Sequence, residues 1–162
     1  MLTILTYGAP ELEKVADSIM NINGETSLLV EQMFEAMRVG RGVGLAAPQV
    51  GRLDRLFVCQ VVDDEPRVFI NPELVETSLE EIAYEEGCLS LPGLYGDIVR
   101  PRLITVQAVD LDGKPFTMRA DGFLSRVIQH EMDHLNGILF PDRLPEKRKD
   151  KILTLYEKKL RT

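Results

Sequence analysis

The stretch DGFLSRVIQHEMDHLNG, from Asp121 to Gly137, constrains this chain more than any other. It holds no proline, opens at Asp121-Gly122 and closes at Asn136-Gly137, so it reads as one uninterrupted helix. Apolar residues cover most of its circumference, which predicts a buried helix with the rest of the fold built around it. Yet it also carries Arg126, Glu131, Asp133 and the only two histidines of the chain, His130 and His134. At about 100° per residue, the two imidazoles stand about 40° apart on one face, one turn from each other. Carboxylates buried on such a helix cost several kcal/mol unless they are paired or lie near a cation. The H-E-x-x-H spacing is the arrangement in which two imidazoles grip one metal ion and the glutamate acts on a water beside it.

The other elements suit a shell around that helix. Pro10 and the following ELEKVADSIMNI predict a short first helix, with Leu12, Val15, Ala16 and Ile19 at helical spacing. A second helix, capped by Thr26 or Ser27, would present Leu29, Met33, Ala36 and Met37 as an apolar stripe and stop at Gly40, Gly42 and Gly44. From Arg55 the pattern becomes β: RLFVCQVV, RVFINP, IAYEEGCLSLP, GDIVRP and LITVQAVDLDGKPFTMRA. Asp112-Gly113 between two alternating runs marks a hairpin. A last amphipathic helix is expected from about Glu146 to Leu160. The predicted class is α+β: small antiparallel sheets around a central H-E-x-x-H helix, with N-terminal helices and a C-terminal amphipathic helix, in one domain spanning residues 1–162.

Composition narrows the function. Nineteen Lys+Arg against 26 Asp+Glu leave a net charge of −7, which argues against a DNA-binding or general nucleic-acid-binding protein. No apolar run is long enough to span a bilayer, and the start MLTILTYGAPELEKVAD lacks a basic region followed by a long apolar one, so the expected location is cytoplasmic. The two cysteines, Cys59 and Cys88, do not make a disulfide scaffold.

A catalytic site of this kind needs a third protein ligand and an open position. Downstream of His134 there is no further histidine or cysteine, and Glu146 is the acid that could serve beyond Asp142. Upstream, Cys88 in EEGCLSLP is the better candidate, whereas Cys59 in LFVCQVV reads as a small core residue.

Three separated stretches, GVGLAAPQ (Gly42 to Gln49), EGCLS (Glu86 to Ser90) and QHEMDH (Gln129 to His134), together resemble the peptide deformylases, metal enzymes that remove the N-formyl group from nascent polypeptides. The resemblance covers nearly the whole chain. It implies a compact α+β fold, Cys88, His130 and His134 as metal ligands and Glu131 as general acid/base. Gln49 and the backbone N–H of Leu89 would stabilise the oxyanion, beside Gly44. It further implies one divalent ion, with Fe²⁺ expected and Zn²⁺, Ni²⁺ or Co²⁺ as substitutes, and N-formylmethionyl nascent peptides as partners. Gly42, Val43, Phe123, Val127 and Arg126 are the expected substrate-binding residues. Arg126 would either meet the substrate main chain at the pocket mouth or reach out to solvent. Glu86 and Asp133 require cationic partners, for which Arg100 and Arg102 are the candidates; Gln129 is expected to make a structural hydrogen bond. The basic residues of the last helix, among them Lys147, Arg148, Lys151 and Lys158, suggest a transient contact with the ribosome.

Overall fold

The computed structural model describes residues 1–161. Its helices are α1 (Gly24–Val39), α2 (Gly122–Leu135) and α3 (Glu146–Leu160), and its strands are β1 (Gly44–Ala46), β2 (Leu56–Cys59), β3 (Arg67–Thr77), β4 (Glu81–Cys88), β5 (Leu91–Pro101), β6 (Ile104–Val109) and β7 (Pro115–Ala120). Five strands form one antiparallel sheet in the order β1-β2-β3-β6-β7, and β4-β5 make a separate two-stranded ribbon. The expected α+β class with antiparallel sheets is therefore what the chain adopts.

Alternation along the strands decides which side of the large sheet meets α2. Phe57, Phe69, Val106 and Ala108 project onto Val127, Ile128, Met132 and Leu135 of the helix, forming one apolar core. Within it the Phe57 and Phe69 rings stack at 4.6 Å. A second apolar cluster joins Leu29, Met33 and Met37 of α1 to Leu45, Leu56 and Ile70. A third lies under the ribbon, where Leu91, Leu94 and Ile98 meet Phe140 and Tyr156. The β6–β7 hairpin turns at the expected Asp112-Gly113, with Gly113 at φ +79° and the Asp110 carboxylate accepting the N–H groups of Asp112 and Lys114.

Two helix expectations need correction. The first predicted helix is a single 3₁₀ turn, Pro10–Glu13, after which the chain is extended. Its backbone groups are taken by distant elements: Ala16 N–H donates to Leu135 O, Asp17 N–H to Leu53 O, and the Asn71 side chain holds both the N–H and C=O of Ile19. Such tertiary hydrogen bonds outweigh a weak local propensity. Helix α1 starts earlier than expected, capped by Asn23, whose Oδ1 accepts from Glu25 and Thr26; Thr26 is the third helical residue and returns the bond to Asn23 N–H. The C-terminal helix has the expected bounds; Tyr156 and Ile152 pack under the ribbon, and Leu155 and Leu160 face solvent at 44% and 68% exposure. No helix among the described residues is long and apolar enough to cross a membrane.

Candidate metal centre and cleft

Strand β4 and helix α2 bring the three expected ligands together. Cys88 is the last residue of β4, at a two-residue turn, Leu89-Ser90, into β5. The register slips between Gly87 and Cys88, so three residues of β5, Pro92 to Leu94, bulge out opposite one step of β4. Bulges of this kind re-aim a side chain, and here Cys88 Sγ lies 3.3 Å from His134 Nε2. One ligand atom from each of Cys88, His130 and His134 falls within 4.8 Å of the others. A tetrahedral ion with bonds of about 2.3 Å to sulfur and about 2.0–2.1 Å to nitrogen requires donors roughly 3.3–3.6 Å apart. The cluster is thus of the right donor type and within small adjustments of the right size.

The two imidazoles are set differently. Glu86 Oε1 accepts from His130 Nδ1 at 2.9 Å, which orients the ring. Burial alone would lower the His130 pKa, but hydrogen bonds with Cys88 and Glu86 prevail and hold it well above the usual imidazole range, so an ion would take the place of the Nε2 proton. Burial, aided by the positive charges of His130 and Arg100, holds the His134 pKa well below the usual imidazole range, and so in its neutral form. Burial alone would raise the Glu86 pKa, but hydrogen bonds with His130 and Arg100 prevail and hold it at about 2.

Glu86 belongs to a buried ionic network. Arg100 donates to Glu86 through Nε at 2.6 Å and Nη2 at 2.9 Å, and to Asp133 through Nη1 at 2.9 Å. Arg143 completes Asp133 with bonds of 2.6 and 3.0 Å. Arg100 is thus the partner of both acids, as anticipated, whereas Arg102 instead pairs with Glu80 and Asp121 at the surface. Arg126 does not reach solvent. It is 8% exposed, and its guanidinium donates to Glu86 Oε2, Ile98 O and Ile82 O at 2.6–2.8 Å. Its stem lines the cleft while its charge ties α2 to both ribbon strands. Gln129 makes the expected structural bonds, to Pro101 O and Ser125 Oγ. Cys59 is a core residue, its thiol pushed up to about 12 by burial first and the Glu131 charge second.

Glu131 stands apart from this network. Its Oε1 is buried without a hydrogen-bond partner among the described residues. Burial, reinforced by the charges of Glu86 and Asp133, pushes its pKa up to about 7. A Cβ at Gly44 would come within 2.5 Å of Glu131 Oε2, so only glycine lets β1 pass this close to the carboxylate. Gln49 closes the same corner: its Oε1 accepts Ala46 N–H at 3.0 Å, and its Nε2 donates to Ser90 Oγ at 3.0 Å and, weakly, to Cys88 Sγ at 3.6 Å.

Gly42, Val43, Gly44, Gln49, Cys88, Leu89, Phe123, Arg126, Val127, His130 and Glu131 all line one cleft of about 590 Å³. Every expected site residue except His134 thus borders this space, and His134 lies behind it, 1% exposed. The unforeseen parts are Ser90, Arg143 and the bond from His130 to Glu86. Strand alternation carried a signal for Glu86, since residues two apart on β4 share a face with Cys88; Arg143 had none.

Two imidazoles and a cysteine sulfur around one point, with an unpaired buried carboxylate beside them in an open cleft, define a metal-dependent hydrolase. Comparison with known proteins agrees. A family model described as polypeptide deformylase matches residues 1–150. The peptide deformylase of Treponema pallidum (strain Nichols) is 48% identical over 149 residues, spanning 92% of this chain and 91% of that protein. The crystal structure of peptide deformylase from Ehrlichia chaffeensis superposes with a TM-score of 0.95 at 36% identity, over 99% of this chain and 97% of that one. The structure of that enzyme in complex with actinonin gives 0.95 at 37% identity, over 100% and 99%. The chain belongs to the polypeptide deformylase family.

Proposed function

We infer that this chain, acting as one catalytic unit, removes the N-formyl group from the N-terminal formylmethionine of newly made polypeptides and releases formate. The observation that carries this reading is Glu131: a buried carboxylate with an unpaired oxygen, beside a His₂Cys cluster, at the floor of an open cleft.

Cys88, His130 and His134 would hold one divalent ion. A mixed nitrogen and sulfur donor set suits ferrous iron, which we propose as the native metal, and equally accepts Zn²⁺, Ni²⁺ or Co²⁺. When bound, the ion supplies Lewis acidity, which makes water a nucleophile near neutral pH and polarises a carbonyl. Glu131 accepts the proton of the attacking water and later delivers it to the departing amine, a role suited to a carboxyl raised to about 7. The Gln49 Nε2–H that rests loosely on Cys88 Sγ is free to turn to the formyl oxygen as its charge builds, and the Leu89 backbone N–H in the tight turn is a second donor.

β1 is the edge of its sheet, paired only with β2, so an extended peptide can lie along its outer side past Gly42 and Gly44. The methionine side chain would then enter between Val43, Leu89, Phe123, Val127 and the stem of Arg126. Metal analysis of anaerobically purified protein, paired with formate release from formyl-Met-Ala-Ser, tests the reading. A metal-loaded protein that releases no formate would falsify it.

The cytoplasm, where nascent chains emerge, is the compartment this activity requires, and α3 is the surface we assign to a transient ribosome contact. Lys147, Arg148, Lys151 and Lys158 are exposed along it on an otherwise acidic protein. Deleting α3 would remove the buried Tyr156, so charge reversal is the cleaner test. K147E/R148E/K151E should abolish salt-sensitive co-sedimentation with ribosomes while leaving formate release intact.

A further inference from the structure

Helix α1 ends in a Schellman turn, in which Gly42 N–H donates to Met37 O at 2.9 Å and Arg41 N–H to Arg38 O at 3.0 Å. The left-handed position of such a turn is normally glycine. Here it is Arg41, at φ +60°, although glycines stand on both sides of it. The two other non-glycine residues with positive φ are Asp63 and Asn71, short polar types that tolerate this conformation. Arg41 is a long side chain in a position that penalises it.

The neighbouring glycines explain why the sequence is not simply shifted by one. The Leu89 side chain lies over both, so a Cβ at Gly42 would stand 2.6 Å from its Cδ1, and one at Gly40 3.3 Å. A side chain at 42 would displace Leu89 and one at 40 would crowd it, while Arg41 is exposed and position 41 still holds arginine. Backbone strain retained on the rim of a site points to a job for the side chain.

That side chain is exposed and lines the cleft. Its guanidinium makes no hydrogen bond or ion pair among the described residues. Of the other charges lining the cleft, Glu86 is paired with Arg126 and Glu131 is buried, while Glu85 is exposed on the ribbon wall, so Arg41 is the exposed cation of the cleft and Glu85 its exposed anion. Gly44 abuts Glu131, and Arg41 lies three residues back along the chain. Three residues of chain span at most roughly 10 Å, so Arg41 stands within that distance of Gly44 and within reach of side chains on the first few residues of an extended peptide.

We propose that Arg41 is a specificity-determining residue that favours an acidic side chain two or three residues after the methionine of the formylated peptide. The inference rests on the deformylase reading for the nature of the substrate, but the cationic rim itself does not. An exposed ion pair changes an equilibrium by about two- to fivefold, and salt weakens it.

The test uses amidated peptides, so that no terminal carboxylate competes: formyl-Met-Ala-Asp against formyl-Met-Ala-Lys, and the same pair with one further alanine before the charge. For the metal-loaded protein the ratio of kcat/KM, acidic over basic, should be about two to five in one of the two registers and should fall towards one in 0.5 M salt. Arg41→Gly should erase that ratio while leaving Tm equal or higher, because it relieves the left-handed position; Arg41→Glu should invert it. Equilibrium binding of the deformylated peptides Met-Ala-Asp-amide and Met-Ala-Lys-amide should follow the same order. A wild-type ratio of one in both registers, or a ratio unmoved in both variants, overturns the proposal. Failure of the deformylase reading looks different: no formate from uncharged formyl-Met-Ala-Ser-amide, with the peptide-binding comparison still reporting on Arg41.

Discussion

Helix α2 is held in two unlike ways. Towards the five-stranded sheet it presents Val127, Ile128, Met132 and Leu135 to aromatic and aliphatic side chains. Towards the β4–β5 ribbon it presents Arg126, Gln129, His130 and Asp133, which are bonded to carboxylates, a guanidinium and backbone carbonyls at 2.6–3.0 Å. Apolar packing is non-directional and graded, so it fixes where the helix lies but tolerates small adjustments. The ionic side is directional, and any member left alone is a buried unpaired charge. It fixes how the helix is rotated and hence where the two rings point. Glu131 falls between these sides, held strongly by neither, which suits the proton-transfer role proposed for it.

Substitutions can break or sharpen that contrast. The largest effect is expected at Glu131. Glu131→Gln should lower kcat for formate release by ~10²–10⁴-fold, the scale of general acid–base catalysis. Metal content by mass analysis should stay at the wild-type level, and Tm should hold or rise because a buried unpaired charge is gone; a fall in Tm would mean that Glu131 is structural. Next comes the ionic side. Arg100→Met removes the guanidinium shared by Glu86 and Asp133 and leaves Glu86 to Arg126 and His130 and Asp133 to Arg143, so denaturant unfolding should show a loss of ~3 kcal/mol. Metal affinity should drop ~10-fold, since Glu86 loses two of the bonds that hold it against His130. If metal affinity were unchanged, the ribbon would not be what aims the rings. On the apolar side, Ile128→Val should cost ~0.5–1.5 kcal/mol by the same unfolding measurement, with the metal dissociation constant unmoved. The smallest effect is expected for Arg102→Met. Two positions from Arg100, this residue also binds two carboxylates, Glu80 and Asp121, but both are more than half exposed. It should cost ~0–1 kcal/mol, and that only at low salt. Equal losses for Arg100→Met and Arg102→Met would show that burial is not what separates them.

The two sides of α2 also differ in how well a sequence announces them. Hydrophobic periodicity located the helix, its burial and the class of fold, because those depend on residues a few positions apart. The residues of the candidate metal cluster were legible too: His130 and His134 share one helix face, Cys88 sits in a motif of its own, and the fold brings the three together. The pairing of Glu86 with Arg100 was readable from acids in one strand facing arginines in the next. What stayed hidden was long-range and polar. Arg143 reaches Asp133 from beyond the end of α2, and Arg126, expected to meet either the substrate main chain or water, donates instead to two strand carbonyls and Glu86. The extended chain after Glu13 was misread for the same reason, since the acceptors that hold it belong to residues 35 or more positions away. Position 41 carried no pattern at all; only its backbone angle set it apart.

The brevity of β1 has a consequence of its own. A free sheet margin invites foreign strands, and a long one would risk fibre-like growth between copies. Here it spans three residues, with Gln49 capping the amide of the last. Such a short ledge gives a passing tail of a few residues enough main chain to dock on, and offers a whole neighbouring sheet too little to seed a stack.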